Sequence, residues 1–228
     1  MSKTRLQIGY DCDGVLNPYQ ENFIYTLYNS GRITQSERST MLNSTNWKFY
    51  EDVGWSDSDF NSHMSWAITN SRLFFQEAIS ETNANELRQT QSYGDLTLVT
   101  ARDYPDYNSN VRHEIFKQTH EWVALILSQG IYFRSVLILS QKELAPVDIM
   151  LDDCAANCEA MLSSGCMLPV LLTRPANSSS DYPLRVDSLE EYSAICEAAA
   201  SYDDPFNDWI EPMINDVIKR RKAAKLAA

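Results

Sequence analysis

Five short apolar segments, at 6–11, 95–100, 135–140, 148–152 and 168–173, punctuate this chain and read as buried strands. Between most of them the apolar positions recur at helical spacing. In 110–128, Ile115, Thr119, Trp122 and Ile126 share one stripe, which Phe116, Val123 and Leu127 widen. Residues 154–164 read as a short helix closed by Gly165. Residues 188–200 read as another, opened by a Ser188/Glu191 capping box. Strands alternating with helices predict an α/β fold, a Rossmann-like parallel sheet with helices on both faces.

The stretch 17–92 breaks this rhythm. It is aromatic-rich, helical in pattern and lacks a convincing strand. Asn43-Ser44-Thr45-Asn46 interrupts it as a turn, and a further helix is expected to start near Gly54-Trp55-Ser56-Asp57. After the last strand, Asp204-Pro205 marks a new helix start, followed by an apolar stripe of Phe206, Ile210, Met213, Ile214 and Val217. The expected organisation is a core from 1–16 and 93–200, a helical cap at 17–92, and a C-terminal amphipathic helix with a basic tail at 201–228.

The most informative polar residues stand where strands end. Asp11-Cys12-Asp13-Gly14 follows the first strand. Residues i and i+2 of an extended backbone project to the same side, so both carboxylates are expected to emerge together, with Cys12 pointing into the core. Gly14 permits the sharp turn that leaves the strand. Alone, Asp-x-Asp-Gly fits a turn or a calcium loop as well as a catalytic pair. Three later strand ends add to it: Thr100 followed by Ala101 and Arg102, Ser140 followed by Lys142, and Asp152-Asp153. A parallel sheet sets these ends side by side, and ligands bind outside such ends. Together they offer carboxylates for a hard cation, for which magnesium is suited, a hydroxyl for phosphate oxygens, and an ammonium for developing negative charge. Phosphoryl transfer depends on such positioning and charge stabilisation.

Composition narrows the partners. The 228 residues carry a formal charge of −12, and 44% of them are hydrophobic, ample for a packed core. Lys219, Arg220, Arg221, Lys222 and Lys225 crowd the last ten residues without an acid, so the remaining body holds 14 bases against 31 acids. Such a body repels a long polyanion, which argues against nucleic acid, while a small phosphate ester can still enter a locally cationic site. The tail reads as a solvated helix end. No apolar run approaches membrane-spanning length and no signal-peptide core follows Met1, so an intracellular, cytoplasmic protein without a membrane partner is expected. The cysteines at 12, 154, 158, 166 and 196 have no framework spacing, and nothing completes a zinc site around Cys154 and Cys158, so they read as buried thiols. The histidines at 63, 113 and 120 read as surface or packing residues.

The ordered set of Asp-x-Asp-Gly, strand plus threonine, lysine, then Asp-Asp resembles the haloacid dehalogenase (HAD) superfamily. The resemblance implies that Asp11 attacks phosphorus and forms an aspartyl-phosphate, and that Asp13 serves as acid and base. Thr100 would hold phosphate oxygens and Lys142 would pair with nucleophile and phosphate. Mg2+ would be bound by Asp11, Asp152 and Asp153, with Asp13 contributing through its backbone carbonyl. A finer similarity is to the deoxyribonucleotidase-like branch. It rests on the cap after the first motif, on Lys142-Glu-Leu-Ala-Pro-Val-Asp148-Ile-Met-Leu-Asp-Asp153, and on Thr173-Arg174-Pro175-Ala176-Asn177 with Arg185-Val186-Asp187-Ser188-Leu189. Ala176 stands where an aromatic is common, and the usual glycine before Asp148 is missing.

Some roles stay open on the sequence. Asp153 could instead cap the next helix, and Lys117 is an alternative to Lys142. Arg102 either reaches phosphate, with Ala101 beside it, or pairs with a surface acid. Trp47, Phe49, Tyr50 and Trp55 either stack on a substrate base or form the core of the cap. The expected activity is hydrolysis of a nucleoside or deoxynucleoside monophosphate. The alternatives are a phosphatase of nucleic-acid ends or other small esters, and an inactive nucleotide-binding or interaction protein on the same fold. The terminal helix leaves a homodimer open.

Overall fold

The structure, a computed structural model, describes residues 5–75, 78–102, 104, 106–164 and 168–201. The expectations for Gly165, Cys166, the helix starting at Asp204-Pro205 and the basic tail lie outside these residues. Within them, six parallel strands form one sheet: β1 (Leu6–Asp11), β2 (Gly94–Thr100), β3 (Phe133–Ile138), β4 (Ile149–Asp152), β5 (Leu168–Leu172) and β6 (Arg185–Val186). Their order is β3-β2-β1-β4-β5-β6. The chain winds outward from β1 in one direction and then from β4 in the other. This reversal places the switch point, where ligands bind in such sheets, between β1 and β4. Tyr10 pairs with Leu98 on one side and with Leu151 on the other, so β1 has no free edge. A strand with neighbours on both sides and cover on both faces is buried almost throughout, and in β1 only Gln7 is less than buried.

The third strand begins two residues earlier than its apolar pattern suggests. Pairing nevertheless continues past its end, where Leu139 N donates to Thr100 O at 2.9 Å. β6 was not expected from the sequence. It is only two residues long, too short for a periodicity to show.

Seven helices are seen among the described residues: α1 (Tyr19–Asn29), α2 (Gln35–Leu42), α3 (Asp57–Ser71), α4 (Glu81–Tyr93), α5 (Ser109–Leu127), α6 (Ala155–Ser164) and α7 (Leu189–Ser201). Side chains set their starts. Thr34 with Glu37 and Ser56 with Asp59 form capping boxes, and Asn108 accepts from two amides of α5. At α7, Ser188 Oγ accepts from Glu191 N at 3.2 Å, while the Glu191 carboxylate accepts from Asp187 N at 2.7 Å.

Two buried clusters result. The larger gathers the strands with Trp122 and Ile126 of α5, Met161 of α6 and Tyr192 of α7. Cys12 belongs to it and is fully buried, as its position in the motif requires. The smaller is the core of the insertion, built on Phe23, Ile24, Met41, Phe49, Met64 and Phe74. Val111 and Ile115, from the first turns of α5, complete that second core. Although α4 falls inside the stretch 17–92, its Ala84 and Leu87 join the core of the sheet. Thr90 on α4 donates to Ser193 on α7 at 3.1 Å. Periodicity locates a helix but does not say which core its stripe faces.

Candidate active site

The β1 segment ends in a tight loop. Leu16 N and Asn17 N both donate to Cys12 O, at 3.0 and 2.8 Å, and Gly14 N donates to Asn17 O at 2.8 Å. Gly14 takes φ +81°, and a Cβ on it would lie 1.9 Å from Asp153 Oδ2. A side chain is thus excluded both by backbone conformation and by the carboxylate packed against it.

Asp11 sits at the strand end with one oxygen accepting from Cys12 N at 2.6 Å. The other lies 2.7 Å from Lys142 Nζ, which is also 2.7 Å from Asp152 Oδ2. Lys142 therefore bridges two buried carboxylates. Its own 3₁₀ turn, Lys142–Leu144, lies between β3 and β4, with the Lys142 side chain buried. Lys117 pairs with Glu114 on the surface of α5, away from this site. Burial pushes Asp11 well above the ordinary carboxylate range, and Asp152 and Asp153 act the same way while Lys142 opposes them. Burial alone would lower the Lys142 ammonium, but Asp11 and Asp152 overcome it and hold Lys142 above its ordinary value.

Asp152 is fully buried. It accepts from Cys154 N at 2.8 Å, so the amide at the head of α6 is met by Asp152 rather than by Asp153. Asn157, one turn into α6, donates to both Asp152 oxygens at 3.2 and 3.3 Å. Asp153 faces Gly14 and the cavity. Burial, reinforced by repulsion from Asp152, pushes its carboxyl up to about 7, with Lys142 and Arg174 pulling the other way.

Asp13 leans to the opposite side. Both its oxygens are taken by the Arg102 guanidinium, Nε to Oδ2 at 2.8 Å and Nη2 to Oδ1 at 2.6 Å, and Asn17 Nδ2 adds a bond to Oδ1 at 2.9 Å. Thr100 ends β2 with a buried hydroxyl that has no hydrogen-bond partner among the described residues. An orphaned donor of this kind at a cavity wall suits an oxyanion that arrives with a ligand.

A cavity of about 530 Å³ joins these groups. Asp11, Asp13, Thr100, Ala101, Lys142 and Asp153 form its floor, and Trp47, Phe49 and Tyr50 line it from the insertion. Asp152 and Arg102 are not part of its wall. The two readings of the aromatics divide by residue. Phe49 and Tyr50 are buried in the cap core, with Tyr50 stacked on Phe60 at 4.3 Å. Trp47 is 53% exposed at the cavity. Trp55 instead stacks on His63 and is not among the lining residues. Arg102 takes neither of the roles open on the sequence: it is buried and holds an acid of the site itself.

Asp11, Asp152 and Asp153 each offer an oxygen such that all lie within 4.8 Å of one another. The Asp13 carboxylate is outside this group, being turned to Arg102. Three acids against one bridging ammonium, all with hard oxygen donors, suit a small dication such as magnesium.

Several contributors lie outside the residues that the sequence assigns to the site, although Arg174 and Asn177 fall in the Thr173-Arg174-Pro175-Ala176-Asn177 segment. Arg174 follows β5 and donates to Gly14 O at 2.7 Å, pinning the loop that leaves β1. Asn177 donates to Asp153 O at 2.7 Å and to Leu172 O at 2.8 Å. Asn17 and Asn157 brace Asp13 and Asp152. A signal existed in that each lies within a few residues of a strand end, but asparagines there also cap ordinary turns.

The profile of the family described as "5' nucleotidase, deoxy (Pyrimidine), cytosolic type C protein" matches residues 5–201. No curated protein matches the sequence. Among solved structures, a haloacid dehalogenase-like hydrolase from Burkholderia xenovorans LB400 is 14% identical, covering 84% of this chain and 96% of its own, with a TM-score of 0.46. A HAD-superfamily hydrolase of subfamily IA from Geobacter sulfurreducens PCA is 14% identical, covering 84% and 100%, at 0.45. A HAD-hydrolase from Bacillus subtilis, solved bound to magnesium, is 10% identical, covering 86% and 100%, at 0.45. Among the described residues, no helix is long and apolar enough to cross a membrane.

Proposed function

Because this chain belongs to the cytosolic type C deoxy(pyrimidine) 5' nucleotidase family and is a HAD-type phosphatase, we propose that it hydrolyses nucleoside or deoxynucleoside monophosphates through an aspartyl-phosphate on Asp11. The observation that carries this reading is Lys142, held 2.7 Å from both Asp11 and Asp152 on the floor of a cavity that also contains the unpartnered Thr100 hydroxyl.

In this mechanism an Asp11 oxygen attacks phosphorus, and the bond from phosphorus to the nucleoside oxygen breaks. The bonding pair stays on that oxygen, which takes a proton from Asp13 and leaves as the nucleoside. A water then attacks phosphorus, gives a proton back to Asp13, and releases inorganic phosphate with the Asp11 carboxylate restored. Lys142, 2.7 Å away, works against burial to favour the ionised form of Asp11, and a carboxylate needs no base to serve as the nucleophile. Lys142 supplies positive charge beside the reacting oxygens, and Thr100 gives its hydroxyl to a phosphate oxygen. Asp11, Asp152 and Asp153 would hold magnesium, together with the Asp13 carbonyl. Bound there, the ion offsets negative charge that otherwise repels an anionic nucleophile from an anionic ester.

The cap, taken as the insertion whose core is the smaller cluster, closes over the phosphate and presents Trp47 to the base. Stacking on an aromatic face favours a nucleotide over a sugar phosphate. The acidic body favours a mononucleotide over the end of a long nucleic acid. A panel of mononucleotides, end-phosphorylated oligonucleotides and sugar phosphates, run with magnesium and with a chelator, tests the reading. Magnesium-dependent release of phosphate from mononucleotides is the expected result, and Asp11→Asn should abolish it. Turnover surviving in Asp11→Asn would overturn the mechanism, and preference for sugar phosphates would overturn the substrate class.

A further inference from the structure

Arg102 is buried at 1% exposure and does not line the cavity, so it reaches no substrate atom. All its directed contacts nonetheless serve one end. Nε and Nη2 form the fork on Asp13, Nη1 donates to Thr119 Oγ1 on α5 at 2.9 Å, and the guanidinium carbon lies 4.2 Å from the centre of the Phe74 ring. Thr119 is itself fixed by its bond to Ile115 O at 2.8 Å. The guanidinium is thus held from two sides, by α5 and by the cap's core, before it meets Asp13. A fork with a fixed plane determines the plane of the carboxylate it grips, which a single-point ammonium cannot do.

The two Asp13 oxygens are not equivalent. Oδ1 accepts from Arg102 Nη2 and Asn17 Nδ2, while Oδ2 accepts only from Arg102 Nε among the described residues. A carboxylate oxygen has two lone-pair directions. Oδ1 has both filled, and Oδ2 keeps one.

We propose that Arg102 is the positioning residue for Asp13, setting its plane so that Oδ2 is the oxygen that hands the proton to the leaving group. The inference rests on the phosphatase reading above and assigns its acid step to one atom. As phosphorus passes to Asp11, the nucleoside oxygen keeps the bonding pair and takes the proton from Asp13 Oδ2. Asp13 is left as the carboxylate, with Arg102 charged throughout. Oδ1, saturated by Arg102 and Asn17, takes no part.

An acid matters only to a leaving group that needs protonating. A nucleoside alkoxide needs it, whereas p-nitrophenolate departs without it. The test is therefore kcat/KM, which reports events up to loss of the leaving group, measured for a mononucleotide and for p-nitrophenyl phosphate in wild type, Arg102→Lys and Arg102→Gln. Arg102→Lys keeps the buried charge and loses the fork. It should lower kcat/KM for the nucleotide by about 10²-fold, the usual contribution of a positioned acid, and lower that for the aryl ester by less than about threefold. Equal losses on both esters would overturn the proposal, because a general disturbance of the fold does not discriminate between leaving groups. Should Arg102→Gln lose its structure, the cycle with Asp13→Asn decides. In that background Arg102→Lys should add no further loss on the nucleotide, and additive losses would overturn the assignment. Wild-type enzyme inert toward both esters would overturn the phosphatase reading instead.

Discussion

The carboxylate of Asp153 occupies the space where a side chain on Gly14 would begin, with Oδ2 only 1.9 Å from the position of that missing Cβ. The turn that follows Asp11, the proposed nucleophile, and the acid cluster that would hold magnesium are therefore fitted to each other. Gly14→Ala should fail twice. The left-handed backbone costs an alanine ~1–2 kcal/mol, and the methyl displaces Asp153. Urea unfolding should show the loss of stability, and a magnesium titration should show affinity weakened at least tenfold. A variant that binds magnesium as tightly as wild type would contradict the coupling.

Lys142→Met should be more damaging to the chemistry than any change at the cavity mouth. It leaves Asp11 and Asp152 facing each other without their shared cation. Removing one member of a buried charge pair typically costs ~3–5 kcal/mol. Activity on mononucleotides should fall by roughly 10²-fold or more, as for loss of a charge stabiliser. Lys142→Arg should not restore it, because a planar fork does not fit between two carboxylates that the ammonium touches at 2.7 Å each. Thermal melting alongside phosphate release separates the two effects.

Thr100→Val should move stability and activity in opposite directions. The buried hydroxyl has no partner among the described residues, so a methyl of the same shape removes an unsatisfied group. The free protein should gain up to ~1 kcal/mol. Phosphate affinity and kcat/KM should drop, since the same hydroxyl would meet the bound oxyanion. A variant that loses both stability and activity would show that the hydroxyl has a structural partner instead.

The carboxyl of Asp153, pushed by burial and Asp152 up to about 7 from an ordinary 3.8, makes the metal-free protein pH-sensitive. In that range the folded state keeps a proton that the unfolded chain has released. Stability therefore falls as the pH rises from about 4 to about 7 and levels off above. Magnesium binding near pH 6 should expel the proton, read as a buffer-dependent heat in calorimetry. Asp153→Asn should flatten the stability slope. A metal-free protein that gains stability across this window would reverse the assigned sign.

Trp47→Ala should raise KM for a mononucleotide by roughly 5–150-fold, the range expected from one lost stacking face, and leave KM for ribose 5-phosphate nearly unchanged. Being 53% exposed, Trp47 contributes little to the fold, so its Tm should hold. Phe49→Ala, by contrast, empties part of the cap core and should cost ~3–5 kcal/mol. Equal KM effects on both esters would remove Trp47 from base recognition.

Much of this site could be read from the chain because it sits at strand ends. A strand announces itself by a few apolar residues, and the next polar residue then has a known place beside its neighbours in a parallel sheet. Asp11, Thr100, Lys142 and Asp153 were located this way, and the structure brings them to one cavity. The role of Arg102 is not legible in the chain, because Thr119, which helps hold it, lies 17 positions away on α5 and looks there like one more member of an apolar stripe. The sequence does not assign Asn157 or Arg174 to the site, although Arg174 falls in the Thr173–Asn177 segment, because their partners, Asp152 and Gly14, become neighbours only when helix and sheet close. The aromatics of the insertion could not be divided into core and cavity before folding, since Phe49 and Trp47 differ in neighbours rather than in chemistry.

The helix α5 serves two cores at once. Val111 and Ile115 lie with the residues of the insertion, and Trp122 and Ile126, two turns further on, lie beneath the sheet. An unbroken helix is a stiff rod, so the insertion, in its proposed role as a lid, cannot swing freely on its two connecting strands of backbone. To open, it must peel away from the rod's first turns and wet Val111 and Ile115, or else bend the rod itself. Admission of substrate then carries a toll set far from the chemistry, and enlarging or shrinking those two side chains should change how fast the door works without touching what happens behind it.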